Sequence, residues 1–119
     1  MCRVLIVEDE LLVALALEMA LSDGDHEVVG TATTADEAVE MAMRSEPDVM
    51  IVDLRLADGS SGAEAVARLR ATHDMPVIFA SGNLDPATRA DLERLSPAAM
   101  ISKPYDEARI VEIVEKTNR

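Results

Sequence analysis

Tryptophan is absent from this chain, and Phe79 and Tyr105 are its only aromatic residues. A flavin would want stacking rings that are not there. Cys2 is the single cysteine, which excludes an internal disulfide and a cysteine-built metal cluster. Long hydrophobic runs are also missing. The longest, Leu11 to Leu17, is far too short to cross a bilayer, and Arg3, Glu8, Asp9 and Glu10 break up any secretory core at the N-terminus. Positive charge is scarce: 11 Lys and Arg face 23 Asp and Glu, a net charge of −12. Such a chain repels nucleic acid and suits a cytoplasmic protein that meets other proteins or a cation. No linker, repeat or low-complexity stretch interrupts the 119 residues, so one domain over 1–119 is expected.

What is present is regular. Apolar residues make up 49% of the chain, enough to build a core. Short apolar runs rich in β-branched residues alternate with helical patterns from end to end. The runs predict strands near 3–7, 27–31, 49–53, 76–80 and 99–102, and helices near 10–22, 35–45, 61–71, 86–94 and 106–117. Turn residues fall between them: Ser22-Asp23-Gly24-Asp25, Ser45-Glu46-Pro47 and His73-Asp74-Met75-Pro76. Thr34 followed by Glu37 reads as a capping box for the second helix. Strand and helix alternating five times predict an α/β fold, (βα)5, with a doubly wound five-stranded parallel sheet and helices on both faces.

Three polar islands sit at strand ends. Glu8-Asp9 closes VLIVED, Asp53 closes VMIVD, and Lys103-Pro104 follows AAMIS. In a parallel sheet the strand C-termini share one edge, and ligands bind in the crevice there. Three carboxylates and one ammonium therefore converge. Crowded carboxylates resist ionisation unless a cation joins them, and Mg²⁺ (or Mn²⁺) is the natural hard, oxygen-seeking partner. One carboxylate is left as a nucleophile toward a phosphoryl group. Taken singly, each island has a plainer reading. A lone Asp after a strand is an N-cap or turn residue, and Glu8 complements the dipole of the first helix. The coincidence of all of them at matching strand ends favours the chemical reading.

Together, VEDE, VDLRLADG, FASGN and ISKPY resemble the receiver domain of bacterial two-component response regulators, over essentially the whole chain. The resemblance implies a flavodoxin-like fold with strand order 2-1-3-4-5. It implies that Asp53 accepts the phosphoryl group, that Asp9 binds Mg²⁺ directly, and that Glu8 acts through water. The backbone carbonyl of Arg55 completes the metal set. Ser81 and Lys103 bond phosphoryl oxygens, and a cis bond precedes Pro104. The donor is then a phosphohistidine on a histidine kinase or histidine phosphotransfer protein. The domain is no enzyme beyond its own phosphorylation and dephosphorylation. It signals by protein contact to an unknown downstream target, or serves as a phosphate shuttle or sink. RLADGSSGAEAV further resembles the receivers of alphaproteobacterial general stress response regulators, and FASGN a strand-four motif of single-domain receivers from the same bacteria. Two departures stand out. Met100 occupies the place, three residues before the lysine, where many receivers carry a switching aromatic. Arg55 and Asn83 occupy the positions, two past Asp53 and two past Ser81, that tune acyl phosphate lifetime in the family.

Other classes fit less well. A flavin carrier of this fold needs a hydroxyl- and glycine-rich loop after strand one, where Glu8-Asp9-Glu10 stands instead. A haloacid-dehalogenase-type phosphatase needs a second Asp where Arg55 stands. A degenerate receiver that only binds partners would not keep Asp53, Asp9 and Lys103. The first helix carries two apolar stripes. Val13, Ala16, Leu17 and Ala20 are expected to face the sheet. Leu12, Leu15 and Met19, with Leu11 beside them, form a second stripe expected to face outward. The resemblance implies that the phosphohistidine partner docks on this helix, so Leu11, Leu12 and Leu15 are expected to form the docking face and to double as a homodimer contact.

Overall fold

A computed structural model describes residues 1–117. The elements are β1 (Arg3–Val7), α1 (Leu11–Asp23), β2 (Glu27–Ala32), α2 (Ala35–Ser45), β3 (Val49–Asp53) and a 3-10 turn (Ala57–Gly59). They continue as α3 (Gly62–Leu69), β4 (Val77–Ser81), α4 (Pro86–Glu93), β5 (Ala99–Ser102) and α5 (Glu107–Thr117). All five strands pair in parallel in the order β2-β1-β3-β4-β5, as the resemblance implied. No helix among the described residues is long and apolar enough to cross a membrane.

Side chains alternate across each strand, so every central strand feeds two cores. Leu5, Val7, Met50, Val52, Val77 and Phe79 point to one face and pack with Ala38 and Ala42 of α2, Val66 and Leu69 of α3, and Leu92 of α4. Val4, Ile6, Val49, Ile51 and Ile78 point to the other and pack with Leu17 and Leu21 of α1 and Ile110 and Val114 of α5. Burial on both faces is why these strands read as continuous apolar runs rather than as alternating ones.

Local chemistry sets the boundaries. β4 starts at Val77, one residue later than expected. Pro76 has no N–H to donate to the ladder, although its carbonyl accepts from Met50 N at 3.0 Å. α3 stops at Leu69 instead of near 71, because the Leu69 carbonyl folds back to accept Thr72 N and His73 N at 3.0 and 2.7 Å. The α2 cap is a variant of the expected box. Thr34 Oγ1 accepts from Glu37 N at 3.1 Å, but the Glu37 carboxylate reaches one residue further back, to Thr33 N and Thr33 Oγ1, both at 2.8 Å. Those bonds hold the Glu37 carboxyl below the usual glutamate range.

α1 is rotated relative to the expected stripe. Ala14, Leu17 and Leu21 are its buried residues, while Val13, Ala16 and Ala20 lie half-buried at the flanks. The outer stripe is as expected: Leu11, Leu12, Leu15 and Met19 are 70%, 81%, 44% and 67% exposed.

Candidate functional site

The C-terminal tips of β1, β3, β4 and β5 enclose a cleft of about 450 Å³. Asp9, Glu10, Asp53, Arg55, Ser81, Gly82, Asn83 and Lys103 line it. All the side chains singled out from the sequence meet here or directly beneath it. Glu8 and Asp53 are buried, Asp9 is exposed, and each offers a carboxylate oxygen within 4.8 Å of the other two.

Lys103 joins the two buried acids. Its Nζ lies 2.7 Å from Glu8 Oε1 and 2.9 Å from Asp53 Oδ2. The other Glu8 oxygen accepts from Glu10 N at 3.1 Å, so the Glu8 carboxylate is bonded through both oxygens. Burial raises the Glu8 carboxyl above the usual glutamate range, although the Lys103 and Glu10 bonds pull the other way. Burial also works against the Lys103 ammonium, but its bonds to Glu8 and Asp53 outweigh this and lift it above the usual lysine range. With Glu8, Asp9 and Asp53 ionised, one ammonium faces three carboxylates. That imbalance, in an all-oxygen donor set open to solvent at Asp9, fits a small hard dication.

The backbone after Asp53 turns back tightly on the strand. Residues 54–61 form a tight loop in which Arg55 and Ser61 make an antiparallel bridge, flanked by Leu56 N to Ser60 O at 3.1 Å and Gly62 N to Leu54 O at 3.0 Å. In a pair of this type the bonds come from the neighbours, so the carbonyl of Arg55 points away from Ser61. Gly62 brings the loop against the strand. A Cβ at that position would sit 2.0 Å from the Asp53 carbonyl oxygen and 2.4 Å from Val52 Cγ1. The loop is also tied sideways, by Ala57 N to Thr33 O at 3.0 Å and Ala35 N to Ser60 Oγ at 3.0 Å. ADGSSG is therefore a fixed hydrogen-bonded turn that also caps α3, through Ser61 Oγ and Ala63 N at 3.0 Å. Sequence reading passed over Gly62 and these ties. Its one available signal was a glycine at the first position of a helix.

Ser81 is buried at the end of β4, where its Oγ accepts from Asn83 N at 3.2 Å and its carbonyl from Lys103 N at 2.8 Å. A Cβ at Gly82 would meet nothing, so the mouth of the cleft is open beside it. The bond between Lys103 and Pro104 is cis. Met100 pairs with Phe79 across β4 and β5 and is half-buried against the core on the α2, α3 and α4 face. Tyr105 packs on the other face, and burial pushes its phenol up to about 12. Next to the cleft, an apolar pocket of about 460 Å³ opens between α1 and the turn after β5, lined by Leu12, Val13, Ala16, Pro104 and Tyr105 with Lys103 at its edge.

Known proteins share much of this sequence and this fold. Phyllosphere-induced regulator PhyR of Methylorubrum extorquens is 40% identical over 115 residues, covering 96% of this chain and 42% of that protein. Across eight of the curated relatives it matches, the chain spans between 29% and 55% of their length. The solution structure of the PhyR receiver domain from Erythrobacter litoralis superposes with a TM-score of 0.84 at 33% identity, over 98% of this chain and 88% of that one. The signal receiver domain of a modulated diguanylate cyclase from Desulfovibrio desulfuricans superposes with a TM-score of 0.89 at 31% identity, over 99% and 94%. The response regulator receiver domain family matches residues 4–115. With its five-stranded parallel sheet and acidic cleft, the chain belongs to that family and has its phosphoacceptor signalling role.

Proposed function

We propose that Asp53 is the phosphoacceptor and that Glu8, Asp9, Asp53 and the Arg55 carbonyl serve a Mg²⁺ ion, with Asp9 and Asp53 as direct side-chain ligands. The observation that carries this reading is the bridge from Lys103 to both Glu8 and Asp53, with Asp9 within reach of the same point. Bound Mg²⁺ would supply positive charge against the phosphoryl oxygens. The chain's own groups do the rest. A carboxylate oxygen of Asp53 attacks phosphorus on a phosphohistidine; the new P–O bond forms as the P–N bond breaks, and the electron pair leaves with the imidazole. Lys103 turns its ammonium from Glu8 and Asp53 toward one phosphoryl oxygen, and the Ser81 hydroxyl donates to another. Most of the rate comes from placement and charge, which loosely bonded phosphoryl transition states need above all. On this reading the chain catalyses only its own phosphorylation and the later hydrolysis.

The donor is a histidine kinase or histidine phosphotransfer protein in the cytoplasm. It docks on the outer stripe of α1, where Leu11, Leu12 and Leu15 stand exposed beside the apolar pocket at Pro104 and Tyr105. Apolar surface of this kind beside a reactive cleft marks an interaction site. Residues 1–119 pass the signal by protein contact or carry the phosphoryl group onward.

Acetyl phosphate with Mg²⁺ tests the assignment without any partner. The native chain should gain an acid-labile, hydroxylamine-sensitive phosphoryl group, and Asp53→Asn should lose it. Undiminished labelling of the variant would rule Asp53 out.

A further inference from the structure

We propose that the edge of the sheet opposite the cleft carries a second docking groove, and that its occupant is an extended acidic segment of a partner polypeptide. The groove, about 710 Å³, opens where β4 and β5 begin, beside α5. Its lining brings apolar Pro76, Ala98 and Ile113 together with basic Arg70, Arg109 and Lys116. Asp74 is the one acidic residue on the lining.

That grouping is unusual for this chain. Three of its 11 basic residues converge on one groove in a molecule of net charge −12. Elsewhere Arg3 pairs with Glu27, Arg44 with Glu40, Arg68 with Asp36 and Glu64, and Lys103 with Glu8 and Asp53, whereas Arg55, Arg89 and Arg94 stand apart in the fold and, among the described residues, outside such pairs. Among the described residues, neither Arg70 nor Arg109 is in such a pair. Lys116 meets only Glu112, in an exposed pair one helical turn apart at 3.5 Å, which is weak and easily exchanged. Arg70 is fixed in place. Its Nε donates to Leu95 O at 2.9 Å and its Nη1 to Met75 O at 2.8 Å, leaving Nη2 outside these bonds. A guanidinium already locked by backbone carbonyls loses little freedom when a carboxylate binds it.

The chemistry of the lining selects the occupant. Spaced cations interleaved with apolar side chains suit carboxylates alternating with small apolar side chains along an extended segment. Nucleic acid offers matching charge, but the acidic remainder of the molecule repels a long polyanion. The groove lies away from the phosphorylation cleft, so a partner held here leaves the Asp53 edge of the sheet uncovered.

A short peptide alternating glutamate and leucine is a suitable probe, titrated into the ¹⁵N-labelled chain. Amide shifts should gather at Arg70, Ala98, Arg109 and Ile113. Arg109→Glu with Lys116→Glu should weaken binding by about tenfold or more, as expected when two attractive charges become repulsive. Arg109→Gln with Lys116→Gln, a gentler change, should give a smaller loss in the same direction. Acetyl phosphate labelling should proceed as in the native chain for both variants. The proposal is overturned if the peptide does not bind, if its shifts fall on Leu11, Leu12 and Leu15, or if both variants bind as the native chain does. It is equally overturned if sedimentation shows that the groove is covered by a second copy of the chain.

Discussion

Gly62 decides how closely the loop after β3 approaches Asp53. Its glycine is required by contact rather than by backbone angle, because a Cβ would penetrate the Asp53 carbonyl. Gly62→Ala must push the loop or the strand tip outward, an overpacking that costs about 1–3 kcal/mol. The expected result is a lower melting temperature together with slower acetyl phosphate labelling; an unchanged melting temperature would mean that the loop yields freely. Glu8 presents the reverse case, a residue whose removal should stabilise the metal-free protein. Burial raises its carboxyl, so the folded chain holds that proton more tightly than the unfolded one. Glu8 therefore costs stability as pH rises from the unfolded glutamate range through its folded value. Glu8→Gln removes a buried charge beside Asp53 and leaves the Lys103–Asp53 pair intact. Thermal unfolding should show a higher melting temperature for Glu8→Gln without Mg²⁺ and a smaller gain on adding it. A lower melting temperature in the metal-free variant would show that the Glu8–Lys103 bond outweighs the burial cost.

At the scale of the element, α1 shows where sequence reading succeeds and where it stops. A helix apolar almost all round does not display which stripe faces inward. The inner stripe runs through Ala14, Leu17 and Leu21, whereas the sequence pointed to Val13, Ala16, Leu17 and Ala20. The surplus was legible all the same, because a sheet-packing helix needs only one stripe. Leu17 and Leu21 each gain about 1.5–3 kcal/mol from full burial, a gain Leu12 forgoes by facing solvent. Leu12→Glu and Leu15→Glu should accordingly leave folding and acetyl phosphate labelling intact while slowing transfer from a phosphohistidine protein. Circular dichroism and the two labelling assays check this, and transfer at the native rate would remove α1 as the docking face. α2 offers a smaller lesson. Thr34 caps as expected, but the partner of Glu37 is fixed by the turn of the chain at Thr33, which no spacing rule contains.

For the molecule as a whole, most of the fold and the cleft was legible because both depend on short-range signals. Buried parallel strands announce themselves as apolar runs, and functional side chains of such sheets stand where those runs end. The strand order came from the resemblance, since apolar patterning does not say which strand neighbours which. What escaped notice depends on tertiary contact: the fit of Gly62 against Asp53, the ties from the loop to Thr33 and Ala35, and the gathering of Arg70, Arg109 and Lys116 at the far edge. Glu8, Asp9 and Asp53 meet at the cleft with only Lys103 joined to them, so a divalent ion should stabilise the native chain by mass action, about 2.7 kcal/mol at a hundredfold excess over its Kd. The most direct measurement of the central claim locates the phosphoryl group itself. The native chain is incubated with acetyl phosphate and Mg²⁺, reduced with borohydride to convert an aspartyl phosphate to homoserine, and sequenced as peptides. Homoserine at position 53 alone is the predicted result; homoserine at position 9 or 58, with Asp53 unmodified, would contradict it.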